Sequence, residues 1–524
     1  MDTSYNEIPY LGRVHNQTHI EYIALAAKLF QLEYPAIENC RVLELGCGDG
    51  SNTLMMAYNL PKAQFVGIDG STTQIATGKK AIEFAGLQNI ELHAMDIMDI
   101  DASFGQFDYV ICHGVFSWVP PAVREKILTI CKERLTAHGI GYISYNAYPA
   151  WKQHEMLRDM MRFHALRMPE AKEQIAQARA LVQFLGEHIP HQTDSYGQFI
   201  QSQVEFISGL TEEYLYHEYL ETYNQPFWFH EFVRLLADNH LQYLGDINLS
   251  AMTNMNWPEE TKNILNEISP SQYELEQYMD MLRCRRFRYS LCIHDSRTIT
   301  RTIEPHVFQD VYISYKACPK WTHIEPTEEL NEELDRLLTN HTDVDESTIN
   351  QHSIYKTIFS VLHYAWPKRL HFQELIQIVE EETNQIISAQ EKLDLAELLQ
   401  TLYFQEVIRI HLCNPPLVNH ISDKPKLSDI SRYLATYQEI IATQNHDMVA
   451  LKKTWILDLV QELDGTKTIA EITNIVWNKM ETGEIPPERF PEGQDLSSTK
   501  KRELLESRIE ESLYSFLENA ALEA

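Results

Sequence analysis

The sequence predicts a doubly wound α/β domain carrying helical insertions, followed by mainly helical C-terminal modules. Three observations carry this. Short apolar runs alternate with helix-length segments through the first 150 residues. A glycine-rich turn, VLELGCGDG at 42–50, closes the first of those runs and opens a helix. From about residue 304 onward the pattern is helical and acidic.

Each element follows from its local pattern. Residues 19–33, HIEYIALAAKLFQLE, place apolar side chains at helical spacing. The apolar runs are Arg41–Gly46, Phe65–Asp69, Ile90–Asp96, Phe107–His113 and Gly141–Tyr145. Between them Ser51–Asn59, Thr72–Ala85 and Ala122–Ala137 are long enough for helices. Short apolar strands separated by helices imply parallel strands buried on both faces. After Asn146 the rhythm changes, and residues 152–225 are helical and amphipathic, as in Met156–Leu166 and Glu170–Gly186. Alternation resumes at Pro226, with a helix and then strands at 241–247 and 286–294. Two strands alone make a poor sheet, so both are assigned to the first sheet, giving seven strands. Residues 152–225 and about 250–284 are then insertions.

The expected organisation is a core half at 1–151, a helical insertion at 152–225 and completion of the sheet at 226–300. A winged-helix-like domain at 301–420 and a helical domain at 421–524 follow. Residues 351–413 run helix, helix, helix and then VIRIHLC, a winged-helix order. Residues 324–349 read as a solvated helix plus linker, and Ala450–Met480 as helix, turn at Asp464–Gly465, helix.

Composition narrows the function. The 524 residues are 44% hydrophobic and 23% charged, which is ordinary globular usage. The net charge is -31, and residues 301–524 hold 21 basic and 38 acidic residues against 23 and 37 in the remainder. Acidity spread this widely disfavours nucleic acid and anionic lipid, both of which need clustered Lys and Arg. No stretch approaches the roughly 18 apolar residues of a membrane span. The segment MDTSYNEIPY lacks the basic and apolar regions of a signal peptide, so a cytoplasmic location is expected. Eight cysteines without a CxxC pair indicate neither a zinc ribbon nor a disulfide framework, and no metal site is expected.

The loop at 42–50 carries the chemistry. Gly46, Gly48 and Gly50 permit positive φ and close backbone approach to a ligand. The spacing is not that of the dinucleotide fingerprint, and no GK[ST] follows. Glu44 and Asp49 stand where a pyrophosphate would go, which suits a cationic ligand. S-adenosylmethionine, with a sulfonium and an amino group, is such a ligand. Asp69 ends the second strand, where a carboxylate can accept both ribose hydroxyls. Asp96 ends the third, where it can accept from the adenine amino group, with Ile97 packing on the ring. The cofactor set is thus Glu44, Gly46, Cys47, Gly48, Asp49, Gly50, Asp69, Gly70, Ser71, Asp96, Ile97, His113 and Gly114.

The segment 41–146 resembles the class I S-adenosylmethionine-dependent methyltransferases. YNEIPYLGRVHNQTH (5–19), HGVFSWVP (113–120), SYNAYPAW (144–151) and YHEYLETYNQPFWFHEFVRLLADNHLQYLGDI (216–247) sharpen the match. They resemble the methyltransferases that carry a methyltransferase regulatory domain, among them the rickettsial protein lysine methyltransferases of outer membrane protein B. The similarity covers about 1–300 and is looser beyond. It implies a protein lysine acceptor and a tendency to form homodimers.

Methyl transfer to an amine is an in-line displacement, so positioning supplies much of the rate. The amine must be neutral, and desolvation in an aromatic channel favours that form. Phe116 and Trp118 follow the fourth strand, and Tyr145, Tyr148 and Trp151 follow the fifth. Trp118 and Tyr148 are the expected channel walls, although Trp118 and Trp151 equally suit helix packing and Tyr145 the core. Asn146 is expected to align the amine, and His113 to act as a contact to the methionine part of the cofactor rather than as a base. Tyr5, Tyr10 and His19 are candidates for a flap over the cofactor. Small-molecule N- or O-methylation, and cofactor binding without turnover, stand as alternatives.

Overall fold

The computed structural model describes residues 7–316, apart from 11 and 192, and residues 348–523, apart from 452–453 and 486–496. The expected solvated helix and linker at 324–349 fall almost wholly outside the described residues. The chain divides into two compact units. The first comprises residues 1–13, 34–83 and 87–298, and the second residues 14–33, 84–86 and 299–524.

The first unit is built on a seven-stranded sheet. Its strands are β1 (Arg41–Leu45), β2 (Gln64–Asp69), β3 (Ile90–Ala94), β4 (Phe107–Cys112), β5 (Leu135–Asn146), β6 (Leu241–Asp246) and β7 (Phe287–His294). Their spatial order is β3-β2-β1-β4-β5-β7-β6. The central strands β1, β2 and β4 are buried almost end to end, as apolar runs covered on both faces must be. β1 to β5 pair in parallel, whereas β7 lies antiparallel to both β5 and β6. The pattern of alternating elements predicted parallel strands, and β7 departs from it for a local reason. The helix Gln272–Arg283 ends at Cys284, a left-handed residue with φ 49°. The chain then enters the sheet opposite Asn146, at the carboxyl end of β5, and can only run back along it.

Residues between β5 and β6 form the helices Ala150–Ala165, Ala171–His188 and Ser195–Ser208, with a core of their own that includes Leu157, Met161, Ile175, Val182 and Ile200. They end in a short helix at Glu212–Leu215 and a π-turn at Tyr216–Leu220. The insertion is tied to β7 by the backbone bond from Ala147 N–H to the Arg286 carbonyl, 2.8 Å. Behind β6 and β7 lies a buried ionic group. Arg288 donates to both oxygens of Asp280 at 2.6 and 3.0 Å and to Glu276 at 2.9 Å.

In the second unit β8 (Tyr312–Tyr315), β9 (Leu370–His371) and β10 (Ile408–His411) form a three-stranded antiparallel sheet. The helices Thr348–Ala365, Phe372–Thr383 and Ala389–Phe404 accompany it. Further on, Thr454–Glu462 and Ile469–Thr482 form the expected helix pair around Gly465, whose φ is 79°. The helix Ile20–Leu29 belongs to this unit. Its Glu21, 1% exposed, accepts from Arg369 at 2.9 and 3.0 Å and from the N–H groups of Leu412 and Cys413. A carboxylate on the buried face of the helix is thereby satisfied, as burial requires. Among the described residues no helix is long and apolar enough to cross a membrane.

Candidate active site

The loop after β1 is shaped by its glycines. Gly46, Gly48 and Gly50 have φ of 71°, 57° and 79°, values that other residues adopt only with strain. A side chain at Gly46 would strike Val115, 2.4 Å from the Cβ position. At Gly78, inside the helix Thr72–Ala85 that follows β2, a Cβ would lie 2.1 Å from the Asp49 carbonyl oxygen, so helix and loop touch through bare backbone. Gly48, Gly70 and Gly114 differ: a Cβ there meets no atom closer than 3.9 Å. These three follow β1, β2 and β4 and border open space along the carboxyl ends of the sheet, where α/β folds bind ligands.

The acids around this space have distinct environments. Asp69 accepts from Gly48 N–H at 2.9 Å and from Ser71 N–H at 2.7 Å, one on each oxygen, which leaves each oxygen a second lone pair. Burial raises its pKa, against those two backbone donors. Asp96 accepts from Met98 N–H at 2.9 Å through one oxygen. Glu44 is 4% exposed and lies beneath the loop, accepting from Asn52 at 2.9 Å and from the Thr53 hydroxyl. These acids, with the backbone cradle, fit a cationic nucleoside such as S-adenosylmethionine.

The other expected contacts divide. The structure brings the 46–50 loop, Asp69, Gly70, Asp96, Ile97, His113 and Gly114 together at the ends of four adjacent strands. Cys47, Asp49 and Ser71 turn inward. The Cys47 sulfur packs toward Gly67, and burial holds the thiol well above its usual pKa. Asp49 accepts from the Ser51 N–H and hydroxyl at 2.9 and 2.6 Å, and Ser71 is 1% exposed.

On the acceptor side, Trp118 meets Trp151 edge to face at 5.7 Å, and Tyr148 lies 5.4 Å from Trp228. Asn146 donates to Asn224 at 2.9 Å, and His113 Nδ1 lies 2.9 Å from the Tyr142 hydroxyl. Phe116 and Tyr145, expected near the reacting methyl, are instead core residues. Both are fully buried against Phe232, at 5.7 and 4.0 Å, because the helix Phe229–Asp238 turns that apolar face to the sheet. Tyr5 lies outside the described residues. His19 caps the helix Ile20–Leu29 within the second unit.

Sequence reasoning missed the groups that hold the N-terminal segment. Gln74 donates to the Tyr10 carbonyl at 2.6 Å, and His217 Nε2 lies 2.7 Å from the Ile8 carbonyl. A Cβ at Gly12 would fall 1.8 Å from Asp49 Oδ1, so this segment runs directly over the loop. It also missed Asn224, Gln225 and Phe227, whose bonds to Asn146, Ser117 and Asn146 zip the loops after β4 and β5 together. Nothing in a linear pattern signals partners so distant.

Glu44 gives the site a pH dependence. Burial pushes its carboxyl up to about 7, against hydrogen bonds from Thr53 and Asn52. The unfolded chain ionises first, so the free protein loses stability from this group as pH rises toward about 7. A cation bound nearby favours the carboxylate and drives the proton off. Affinity for S-adenosylmethionine is therefore expected to fall below about pH 7, by up to about tenfold per unit, and to level off above it. Calorimetry in two buffers of different ionisation heat measures the released proton; a pH-independent affinity with no proton release would exclude this coupling.

Known proteins resemble this chain over nearly its whole length. Residues 42–139 match the family model of a methyltransferase domain, and 211–294 that of a predicted methyltransferase regulatory domain. Residues 423–522 match the PKMT C-terminal winged helix domain, downstream of the region where helix order alone suggested such a module. An uncharacterized protein of Rickettsia prowazekii is 33% identical, covering 99% of this chain and 93% of its own. PKMT2 from Rickettsia typhi, solved in complex with AdoHcy, superposes with a TM-score of 0.82 at 31% identity, over 98% of this chain and 100% of that one. A second structure of PKMT2 from Rickettsia typhi gives 0.81 at 30%. With its cofactor cradle, regulatory segment and winged helix in one chain, this protein belongs to the PKMT family of S-adenosylmethionine-dependent methyltransferases.

Proposed function

We propose that the chain methylates lysine side-chain amines of a protein substrate. The observation that carries this reading is the aromatic acceptor side, where Trp118 follows β4, Tyr148 follows β5 and Trp228 lies against Tyr148, while the fully buried Trp151 packs against Trp118. Such a surface desolvates an aliphatic amine and offers little to a polar metabolite. The cofactor supplies an electrophilic methyl on a sulfonium. Asp69 and Asp96 hold its ribose and adenine, and the glycines at 46, 48, 50, 70 and 114, with Ile97, line the bed. Glu44 answers its positive charge from beneath the loop. Trp118 and Tyr148 wall the amine, Asn146 orients it, and His113 contacts the methionine part. An exposed lysine has a pKa of about 10.4, so removal from water, which disfavours the ammonium, is the main aid the protein gives to deprotonation. The proton leaves to solvent. A net charge of -31 draws lysine-bearing segments toward the protein. A cytoplasmic homodimer completes the reading.

The test is transfer of labelled methyl from S-adenosylmethionine into a cell lysate. Label recovered as methyllysine in the protein fraction is expected. Label confined to small molecules, or absent from both pools, would refute the proposal.

A further inference from the structure

The ring of Tyr148 already carries an ammonium. Lys152 Nζ sits 3.9 Å from its centroid and 3.6 Å from Glu155 Oε2. The other oxygen of Glu155 accepts from the Tyr148 hydroxyl at 2.8 Å, which fixes the carboxylate beside the ring. Trp228 stands 5.4 Å from Tyr148 at an interplanar angle of 47°, and its backbone N–H donates to the Glu231 carboxylate at 3.0 Å. The Tyr148 N–H donates to the Phe227 carbonyl at 3.0 Å, so the two aromatic residues come from backbone segments bonded to one another. An aromatic face with a carboxylate at its rim is the chemistry that binds an alkylammonium. Tyr148 is 7% exposed, whereas the Lys152 side chain is 59% exposed. The notch is thus built in, and its occupant is free to leave at little cost.

We propose that Tyr148, Trp228 and Glu155 form a site for a lysine ammonium of the protein substrate, and that Lys152 fills it until the substrate displaces it. This rests on the protein-lysine reading above and adds where the substrate's charge is recognised. The ammonium is that of the acceptor lysine before it loses its proton, or that of a neighbouring lysine in the same segment.

Two substitutions break the same ion pair and separate the roles. Lys152→Met keeps the aliphatic stem and removes the competitor, so it is expected to tighten peptide binding about threefold. Glu155→Gln removes the carboxylate and is expected to weaken it about tenfold. A pair that only braces the helix start would shift both variants the same way. Binding is read by calorimetry on the full chain saturated with S-adenosylhomocysteine, with one peptide carrying a single lysine and one carrying two. Opposite shifts with the single-lysine peptide assign the site to the acceptor; opposite shifts with the two-lysine peptide alone assign it to a neighbour. Equal affinities in wild type and both variants, or shifts of one sign, would overturn the proposal. Because binding is measured without turnover, a wild type that binds peptide but transfers no methyl would retire the lysine-methylation reading and leave the site standing.

Discussion

Asp69→Ala is expected to lower affinity for S-adenosylmethionine by about 100-fold. The side chain does two jobs. It is the expected acceptor for the ribose, and a hydrogen bond to a charged group is worth about 1.5–3 kcal/mol. It also accepts from Gly48 N–H and Ser71 N–H, pinning the first loop to the end of β2. Alanine removes the ligand contact and frees the loop that must present its backbone. Asp69→Asn retains one oxygen and should fall between wild type and alanine. Calorimetry with S-adenosylmethionine and S-adenosylhomocysteine measures both variants, with thermal unfolding as the control for a disordered loop. Affinity within twofold of wild type in a folded Asp69→Ala protein would remove this residue from the cofactor site.

Arg288→Met is expected to cost about 3–5 kcal/mol of stability in the first unit, because it leaves buried carboxylates without their cation. Arg288 is fully buried, bonded to Glu276 and to both oxygens of Asp280, and its Cζ lies 3.6 Å from the centre of the Phe229 ring. Burial already raises the pKa of Glu276 and Asp280 while the arginine opposes that rise. Without it both carboxyls move further up. Below their new pKa values they protonate and the penalty shrinks; above them the penalty is complete. Denaturant unfolding of variant and wild type on the acid and alkaline sides of neutrality should show the larger difference on the alkaline side. A difference that is small and constant with pH would mean that solvent reaches the site.

Much of the first unit was legible because its signals are local. Strands covered on both faces must be apolar throughout, so β1, β2 and β4 stand out as short runs. The late strands were assigned to the same sheet on the argument that two strands do not stand alone, and β6 and β7 do complete it. The direction of β7 was not legible, since it depends on which edge the helix before Cys284 delivers the chain to. The glycine loop and the strand-end acids were legible because positive φ and a carboxylate in an apolar context are both rare. Phe116 was misread as a channel residue, and Tyr145 was left open between channel and core, because a strand-end aromatic has the same sequence signature whether it faces ligand or core.

Fold class, the cofactor loop and the order of elements can be read from the chain, since each is written within a few consecutive residues as apolar pattern, glycine content or charge. Which groups those elements use depends on how the chain packs. Glu21 reads as a stray charge on the apolar face of a helix until Arg369, 348 residues away, comes to pair with it. Gln74 and His217 read as ordinary polar residues until they take the carbonyls of Tyr10 and Ile8 and lay that segment across the Asp49 loop. Trp228 becomes part of the acceptor side only because the segment after Asn224 folds back along β5. Apolar patterning and helix periodicity are properties of neighbours in the chain, whereas a hydrogen-bond partner is a property of neighbours in space.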